Sequence, residues 1–195
     1  MDIVYPVVLT VPENAKRMKG REKVAFLSWH ARKAVELSAG RAGVHLKSLA
    51  KSDHGVPLPF QGNFWSLTHK TIYVAGVVAP KEVGIDIERI KPVSEGLFEK
   101  TAYDSEWNIG ANPRCPDLFF RFWTAKEAVL KATGVGIAGL LKCEVIEIPD
   151  TTHLILYHQN RFWHVEHCFF DGHVATVVQN DFRLKWVIHP GCNPC

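Results

Sequence analysis

The chain has 195 residues, of which 47% are hydrophobic and 22% charged, and its formal net charge is +3. This length can bury a substantial core and permits one domain or two small ones. The small net charge demands no nucleic-acid partner, and no apolar run approaches the ~18 residues of a membrane span. The odd number of cysteines and the absence of a basic leader are atypical of a small secreted domain. We expect a cytoplasmic globular monomer that binds neither nucleic acid nor membrane.

The first half of the chain predicts one long helix among short strands. Residues 3–11 predict a strand that Pro6 would place at a sheet edge, and residues 22–43 predict a helix. A loop at 52–62 and a short strand at 64–67 follow. Residues 71–78 and 82–88 predict a hairpin that turns at 79–81.

The second half predicts two helices followed by strands. The first helix covers 97–107, and the second covers 117–133 with Asp117 as a possible N-terminal cap. Strands are predicted near 143–148, 153–158, 162–169, 173–179 and 184–188, which makes the fold α+β. The Cys192 and Cys195 pair resembles half of a zinc site, but we interpret it as a frayed terminus.

Two stretches of the chain resemble each other in the same order. The segment from Trp29 to Gly40 matches that from Trp123 to Gly134, and residues 74–78 are echoed by 174–178. This similarity predicts two similar α/β subdomains in a pseudo-twofold arrangement, each with a long helix packed on a small antiparallel sheet. Residues 1–92 would hold the basic helix and the hairpin, and residues 93–195 would hold the second long helix.

Carboxylates and lysines are concentrated in two segments that this arrangement would bring to the subdomain junction. Acidic and apolar residues alternate from Val83 to Glu88, so Asp86 and Glu88 would project from one side of a strand, a geometry that suits a divalent ion. Helical spacing places Glu127 and Lys131 on one flank of the second helix. The alternative is a solvated strand face and a surface ion pair worth ~0.3–0.5 kcal/mol.

Lys126 favours the functional interpretation. Helical periodicity places it inside the apolar stripe between Trp123 and Leu130, where a lysine must either reach solvent or meet an anion. We expect that anion to be a phosphate. A cluster of basic residues early in the chain could hold another phosphate or could be a solvated helix face: Lys16, Arg17, Lys19, Arg21, Lys23, Arg32, Lys33 and Arg41.

These motifs together resemble those of the 4′-phosphopantetheinyl transferases. The resemblance rests on residues 83–88, on residues 122–131, and on the Trp65 to His69 segment, which is similar to the family segment that contacts coenzyme A phosphates. Length and internal repeat resemble the larger, two-subdomain type that activates peptide, polyketide and fatty-acid synthases. The family reaction moves the phosphopantetheine arm of coenzyme A to a serine of an apo carrier protein and releases adenosine 3′,5′-bisphosphate.

The resemblance implies a role for each site residue. Asp86, Glu88 and Glu127 would hold Mg²⁺, with Asp86 exposed at a cleft, and Glu127 is also a candidate base for the serine. Lys131 and Lys126 would stabilise phosphate charge, with Lys131 a possible proton donor to the leaving group. Coenzyme A would be bound by Arg32, Thr68, His69 and Lys126. For Arg32 a surface helix position, and for His69 a turn position, remain alternatives.

Two departures from the family pattern affect coenzyme A binding. Thr68 replaces a serine but keeps the hydroxyl, and Val56 stands where many members have the lysine of Gly-Lys-Pro. The basic phosphate contact is therefore either missing or supplied by Lys51 or Lys70. A carrier protein would dock on apolar residues beside Lys100, namely Leu97, Phe98, Ala102, Tyr103 and Trp107. A coenzyme A or nucleotide-binding protein without activity and a Mg²⁺-dependent phosphohydrolase are the alternative functions.

Overall fold

A computed structural model describes residues 1–110 and 114–189 of the chain. Its strands are β1 (Ile3–Val4), β2 (Val7–Thr10), β3 (Phe64–His69), β4 (Tyr73–Ala79), β5 (Ile85–Arg89), β6 (Glu144–Glu147), β7 (His153–His158), β8 (Arg161–Phe170), β9 (His173–Val178), β10 (Arg183–Leu184) and β11 (Val187–Ile188). Its α-helices are α1 (Glu13–Lys16), α2 (Gly20–Arg41), α3 (Glu95–Thr101), α4 (Asp104–Trp107) and α5 (Pro116–Thr133), and a 3-10 helix spans Ile137–Lys142. The Cys192 and Cys195 pair and residues 111–113, between the two helices predicted for the second half, lie outside the described residues.

The first sheet has the strand order β11, β2, β4, β3, and α2 packs on it. All seven residues of β4 are buried because the strand has antiparallel neighbours on both sides and a helix above it. A Cβ atom at Gly76 would lie 2.5 Å from the backbone nitrogen of Val35, so only glycine lets α2 approach β4 this closely. The expected edge position of residues 3–11 is wrong for β2, because β11 pairs with its outer side.

The second sheet has the strand order β5, β9, β8, β7, β6, with all neighbours antiparallel. Helix α5 packs against β5 and β9. Gly84, just before β5, has a role like that of Gly76, since a Cβ atom there would lie 1.8 Å from the Ala128 carbonyl oxygen. The close approach brings the β5 side chains next to those of α5.

The predicted hairpin of residues 71–78 and 82–88 is wrong. β5 pairs with β9, with Asp86 opposite Thr176, and thus belongs to the second sheet. Ile85 and Ile87 fill an apolar core to which both sheets contribute, which explains why the strand lies at the junction rather than beside β4. The division of the chain at residue 92 stays a prediction, but the strand that carries the carboxylates is not part of a hairpin of the first subdomain.

Two helix predictions also need correction. The predicted 97–107 helix is divided into α3 and α4 by an extended residue, Ala102. Asp117 does not cap α5, because the helix begins at Pro116 and the Cys115 sulfur accepts a hydrogen bond from the Leu118 amide, with 3.5 Å between the two atoms.

The mixed α/β architecture with antiparallel sheets confirms the coarse fold prediction. Each of the two long helices packs on its own sheet, while the pseudo-twofold relation between the halves stays a prediction. No helix within residues 1–110 and 114–189 combines the length and apolar character required to cross a membrane.

Candidate active site

Asp86 lies at the centre of a polar cluster between the two sheets. Its side chain is only 2% exposed, so the expectation of an exposed ligand is wrong. Its Oδ1 atom accepts hydrogen bonds from Thr68 Oγ1 at 2.8 Å and from Lys131 Nζ at 2.7 Å. Its Oδ2 atom is buried without a hydrogen-bond partner. A buried carboxylate oxygen of this kind is costly unless another group approaches it.

Thr68 positions this carboxylate instead of facing the cavity. The threonine is buried on β3, and the neighbouring hydroxyl of Ser66 accepts a hydrogen bond from the Ile85 amide at 3.2 Å. The two hydroxyls, on the same side of β3, therefore connect the first sheet to β5. The expected coenzyme A contact of Thr68 stays a prediction, while its hydroxyl donates to Asp86.

Glu88 is held by Lys70 at the end of β3. Its carboxylate lies 2.5 Å from the Lys70 ammonium, and both side chains are partly exposed. The pKa of Lys70 is raised. Burial acts to lower this pKa, but the nearby carboxylates of Asp86 and Glu88 together outweigh burial. Lys70 is thus engaged with carboxylates, which makes it a poor substitute for the missing phosphate-binding lysine.

Helix α5 brings Glu127 and Lys131 to the same cluster. The Lys131 ammonium also donates to the Ile85 carbonyl oxygen at 3.0 Å, so it bridges α5 and β5. Burial, and next the nearby Asp86 carboxylate, raise the pKa of Glu127, while Lys131 acts in the opposite direction. The contact between Lys131 and Asp86 confirms that the predicted strand and helix segments meet.

Lys126 lies elsewhere, on the core side of α5. Its side chain is fully buried, and its ammonium lies 2.7 Å from Glu106 Oε2 and donates to the Thr101 carbonyl oxygen at 2.9 Å. Burial lowers the pKa of Lys126, and Glu106 opposes the change. The helical periodicity located the lysine correctly in the apolar stripe, but the expected phosphate contact is wrong because its anion is Glu106.

Three further cationic or titratable groups lie near Lys131: Arg32, Lys51 and His69. Arg32 on α2 donates to the Leu49 carbonyl oxygen at 2.7 Å and lies over the Trp65 ring, 5.9 Å from its centre. Burial, then Lys131, lowers the pKa of His69. Burial, then Arg32 and Lys131, lowers the pKa of Lys51. These mutual effects indicate that Arg32, Lys51, His69 and Lys131 surround one region.

A cavity of about 640 Å³ lies beside this cluster. Lys51, Glu127 and Lys131 are among its charged lining residues, and Val56, Leu67 and Leu130 are among the apolar ones. The volume falls within the ~300–1,000 Å³ typical of small-molecule sites. A lining that includes one carboxylate and two lysines suits a ligand that carries phosphates and also binds a cation.

The expected metal set is not assembled as three ligands. Within residues 1–110 and 114–189, no three His, Cys, Asp or Glu side chains are arranged to hold a metal ion. The physical reason is local, because Lys70 is bound to Glu88 and Lys131 to Asp86. The oxygens of Asp86 and Glu127 still have the hard-donor chemistry that Mg²⁺ prefers, and the unpartnered Asp86 Oδ2 is an available donor.

Sequence reasoning missed two residues of this region. Glu106 was not connected with Lys126, and Ser66 was not singled out although its hydroxyl joins the sheets. A clue was available for Ser66, since a hydroxyl at alternate positions with Thr68 must face the same side of the strand. No local pattern identifies Glu106, because its partner lies on another helix.

The segment that contains β5 and α5 is similar in sequence to a known protein family. The model of the 4′-phosphopantetheinyl transferase superfamily matches residues 82–178, which contain β5 and α5. Over 96 residues, the chain is 35% identical to the 4′-phosphopantetheinyl transferase HetI of Nostoc sp. (strain PCC 7120 / SAG 25.82 / UTEX 2576), a match that covers 45% of this chain and 40% of that protein. The chain belongs to the 4′-phosphopantetheinyl transferase superfamily.

Two other relatives match the chain over 77 and 114 residues. The 4′-phosphopantetheinyl transferase psf-1 of Bacillus pumilus is 38% identical over 77 residues, which cover 38% of this chain and 33% of that protein. The 4′-phosphopantetheinyl transferase gsp of Aneurinibacillus migulanus is 27% identical over 114 residues, which cover 57% and 48%. The chain therefore matches less than half of the length of each of these relatives.

Proposed function

We propose that the protein transfers the 4′-phosphopantetheine arm of coenzyme A to a serine of an apo acyl or peptidyl carrier protein and releases adenosine 3′,5′-bisphosphate. One observation carries the proposal. Lys51, Glu127 and Lys131 line one ligand-sized cavity, and Asp86 contacts Lys131. Arg32 and His69 lie near Lys51, at a second place in the same region. A nucleotide with a pyrophosphate and a separate 3′-phosphate requires charge at two such places.

The reaction is a phosphoryl transfer, in which positioning and electrostatics supply most of the catalysis. The serine oxygen forms a bond to the phosphorus that carries the pantetheine arm. The bond from that phosphorus to the bridging oxygen of the pyrophosphate breaks, and the nucleotide leaves with its two phosphates. The serine loses a proton, and negative charge grows on the departing phosphate.

This step requires a group that accepts the serine proton and a group that stabilises the departing phosphate. Glu127 and Lys131 fit these two roles. The Lys131 ammonium is held by Asp86 and the Ile85 carbonyl, so it is directed into the site without rearrangement. It stabilises the departing phosphate and is a candidate donor of a proton to it. Glu127 lines the same cavity and is the candidate acceptor for the serine proton, directly or through water.

Mg²⁺ is the proposed metal, and Asp86 and Glu127 are its proposed protein ligands, with Glu88 as a third when Lys70 releases it. The ion commonly binds through one or two carboxylates together with substrate phosphates, so a site with few protein ligands suits it. When bound, it would offset the charge of the pyrophosphate. The unpartnered Oδ2 of Asp86 supports this role.

Two other functions remain to be separated from transfer. A coenzyme A-binding protein without activity would use the same cavity, and a Mg²⁺-dependent phosphohydrolase would use water in place of serine. The experiment incubates the protein with coenzyme A, Mg²⁺ and an apo carrier protein, followed by intact mass measurement and nucleotide analysis. We expect the carrier to gain the mass of one phosphopantetheine. Nucleotide release without a mass gain would indicate hydrolysis, and binding without either product would indicate a binding protein.

A further inference from the structure

The loop of residues 49–58 contributes to the cavity lining and is held together by its own hydrogen bonds. The Ser52 amide donates to the Val56 carbonyl oxygen at 2.8 Å, and the Leu58 amide donates to the Ala50 carbonyl oxygen at 2.9 Å. The Ser52 hydroxyl accepts a third bond, from the Val56 amide at 3.2 Å. These bonds close the loop on itself, so Lys51 lies opposite Pro57 as in a small antiparallel pair.

Both ends of the loop are also attached to the first sheet and its helix. Arg32 of α2 donates to the Leu49 carbonyl oxygen at 2.7 Å, and the Trp65 ring nitrogen of β3 donates to the Leu58 carbonyl oxygen at 2.9 Å. The Arg32 guanidinium in turn lies over the Trp65 ring. The position of Lys51 is therefore fixed by secondary-structure elements rather than by the loop alone.

Lys51 brings an uncompensated positive charge to the cavity. It is a lining residue together with Lys131, and it lies close enough to Arg32 and Lys131 that both disfavour its charged form. Among the ion pairs formed by the described residues, none includes Lys51. By contrast, Lys70, Lys126 and Lys131 each lie against a carboxylate. A lysine with no carboxylate partner that lies beside two other cations is stabilised in its charged form when an anion joins it.

Val56 occupies a different place in the same loop. A Cβ atom at Gly134, just past the end of α5, would lie 3.0 Å from Val56 Cγ1. The valine thus covers the end of α5 with an apolar surface and offers no charge to the cavity. The cation of this loop is Lys51, on the opposite arm.

We propose that Lys51 binds a phosphate group of coenzyme A and supplies the charge that position 56 lacks. The inference rests on the proposed function, because it names a binding residue of the same site. The group bound by Lys51 is an anionic phosphate oxygen of coenzyme A. Because Lys51 lies near both Arg32 and Lys131, this oxygen belongs either to the 3′-phosphate or to the pyrophosphate.

The test is calorimetric titration of the full chain with coenzyme A in the absence of carrier protein. We expect Lys51→Ala to weaken binding roughly tenfold, the effect of one charge-assisted contact, and Lys51→Arg to retain most of the affinity. Lys47→Ala is the matched control, since Lys47 is an exposed lysine of the preceding segment and lines no part of the cavity. Circular dichroism of each variant checks that the fold is preserved.

A second titration with dephospho-coenzyme A identifies the phosphate. If the loss caused by Lys51→Ala disappears with this ligand, Lys51 contacts the 3′-phosphate, and if the loss persists, it contacts the pyrophosphate. Equal affinity of Lys51→Ala and wild type for both ligands overturns the inference while the proposed function stands. Failure of the wild type to bind coenzyme A overturns both.

Discussion

Lys126 and Glu106 form an ion pair of 2.7 Å in which the lysine is fully buried and the glutamate side chain is only 4% exposed. Glu106 also accepts hydrogen bonds from the amides of Tyr103 at 2.9 Å and Val145 at 2.7 Å. The pair therefore connects α5 with α4 and β6. Such an arrangement makes Lys126 a structural residue beneath the site rather than a ligand of the substrate.

We predict that Lys126→Met lowers the free energy of unfolding by about 3–5 kcal/mol, because Glu106 is left as an unpaired buried charge. Urea unfolding measures the loss, and Lys142→Met at an exposed position should change stability by less than about 0.5 kcal/mol. The fraction of the Lys126→Met variant that stays folded should keep the wild-type KM for coenzyme A. Unchanged stability together with a raised KM for coenzyme A would instead indicate that Lys126 contacts this substrate.

Local patterns predicted individual elements better than their partners. Alternation of apolar and acidic residues identified β5, and helical periodicity placed Lys126 in the apolar stripe. Neither pattern specifies which strand pairs with β5 or which acid meets Lys126, because β9 and Glu106 are brought there only by tertiary packing. A strand paired with β4 would show the same alternation. The sequence therefore favoured a hairpin of β4 and β5, which are adjacent along the chain, although β5 pairs with β9.

The candidate site was predicted in a similar way. The carboxylates Asp86 and Glu127 were found from their motifs, but the burial of Asp86 was not, since it depends on a threonine from the first sheet. The predicted strand ended at residue 67, and only its continuation to His69 aligns the Thr68 hydroxyl with Asp86.

Asp86→Asn should reduce transfer activity by at least 100-fold while the circular dichroism spectrum stays unchanged. The amide keeps the shape of the buried side chain and its contact with Thr68 but removes the charge that holds Lys131. Thr68→Val is the comparison, because it leaves the carboxylate in place and removes only the bond that orients it. We expect a smaller loss of kcat for Thr68→Val. Near-normal turnover of Asp86→Asn at limiting Mg²⁺ would show that the metal site is misassigned.

Arg32 and His69 should affect binding of coenzyme A more than chemistry, since contacts with a remote 3′-phosphate act equally on substrate and transition state. We expect Arg32→Ala and His69→Ala to raise the KM for coenzyme A and to leave the KM for dephospho-coenzyme A nearly unchanged. Arg32→Ala also releases the Leu49 carbonyl oxygen and could displace Lys51, and Lys51→Ala measures how large the effect of that displacement can be. If a variant still distinguishes coenzyme A from dephospho-coenzyme A as strongly as the wild type does, the replaced residue does not contact the 3′-phosphate.

His167 should make the protein sensitive to mild acid. It is buried on β8, its Nδ1 atom lies 2.7 Å from Thr176 Oγ1, and its Nε2 atom has no hydrogen-bond partner. Burial, with Arg121 and His153 acting in the same direction and Asp150 opposing, holds its pKa well below 6.5. The unfolded chain therefore binds a proton near pH 6.5 that the folded protein does not, so stability falls as pH decreases below that value.

The measurement is urea unfolding at pH 7.5, 6.5 and 5.5, where one proton contributes at most about 1.4 kcal/mol per pH unit. His167→Asn should show a shallower loss of stability below pH 6.5 than wild type. His164→Asn, at an exposed position of the same strand, should keep the wild-type slope. An unchanged slope for His167→Asn would mean that other buried histidines, such as His173, carry the acid response.

The last prediction concerns the face that docks the carrier protein. Of the five apolar residues expected there, Phe98, Ala102 and Trp107 are buried in the core, whereas Leu97 is 42% and Tyr103 51% exposed. Leu97 also lines a small cavity of about 170 Å³ together with Glu88 and Trp123, which connects this face to the carboxylate cluster. A carrier with an acidic recognition helix could place an apolar side chain there and meet Lys100 at the rim.

Lys100→Glu should therefore raise the KM for the carrier several-fold and weaken its salt dependence, because a rim charge acts mainly on the association rate. The affinity for coenzyme A should not change, and neither should the circular dichroism spectrum. Lys185→Glu makes the same charge change at an exposed position between β10 and β11 and should leave the carrier KM near the wild-type value. If the KM for coenzyme A moves while that for the carrier does not, the α3 face is not the docking site, and the basic residues of α2 become the next surface to mutate.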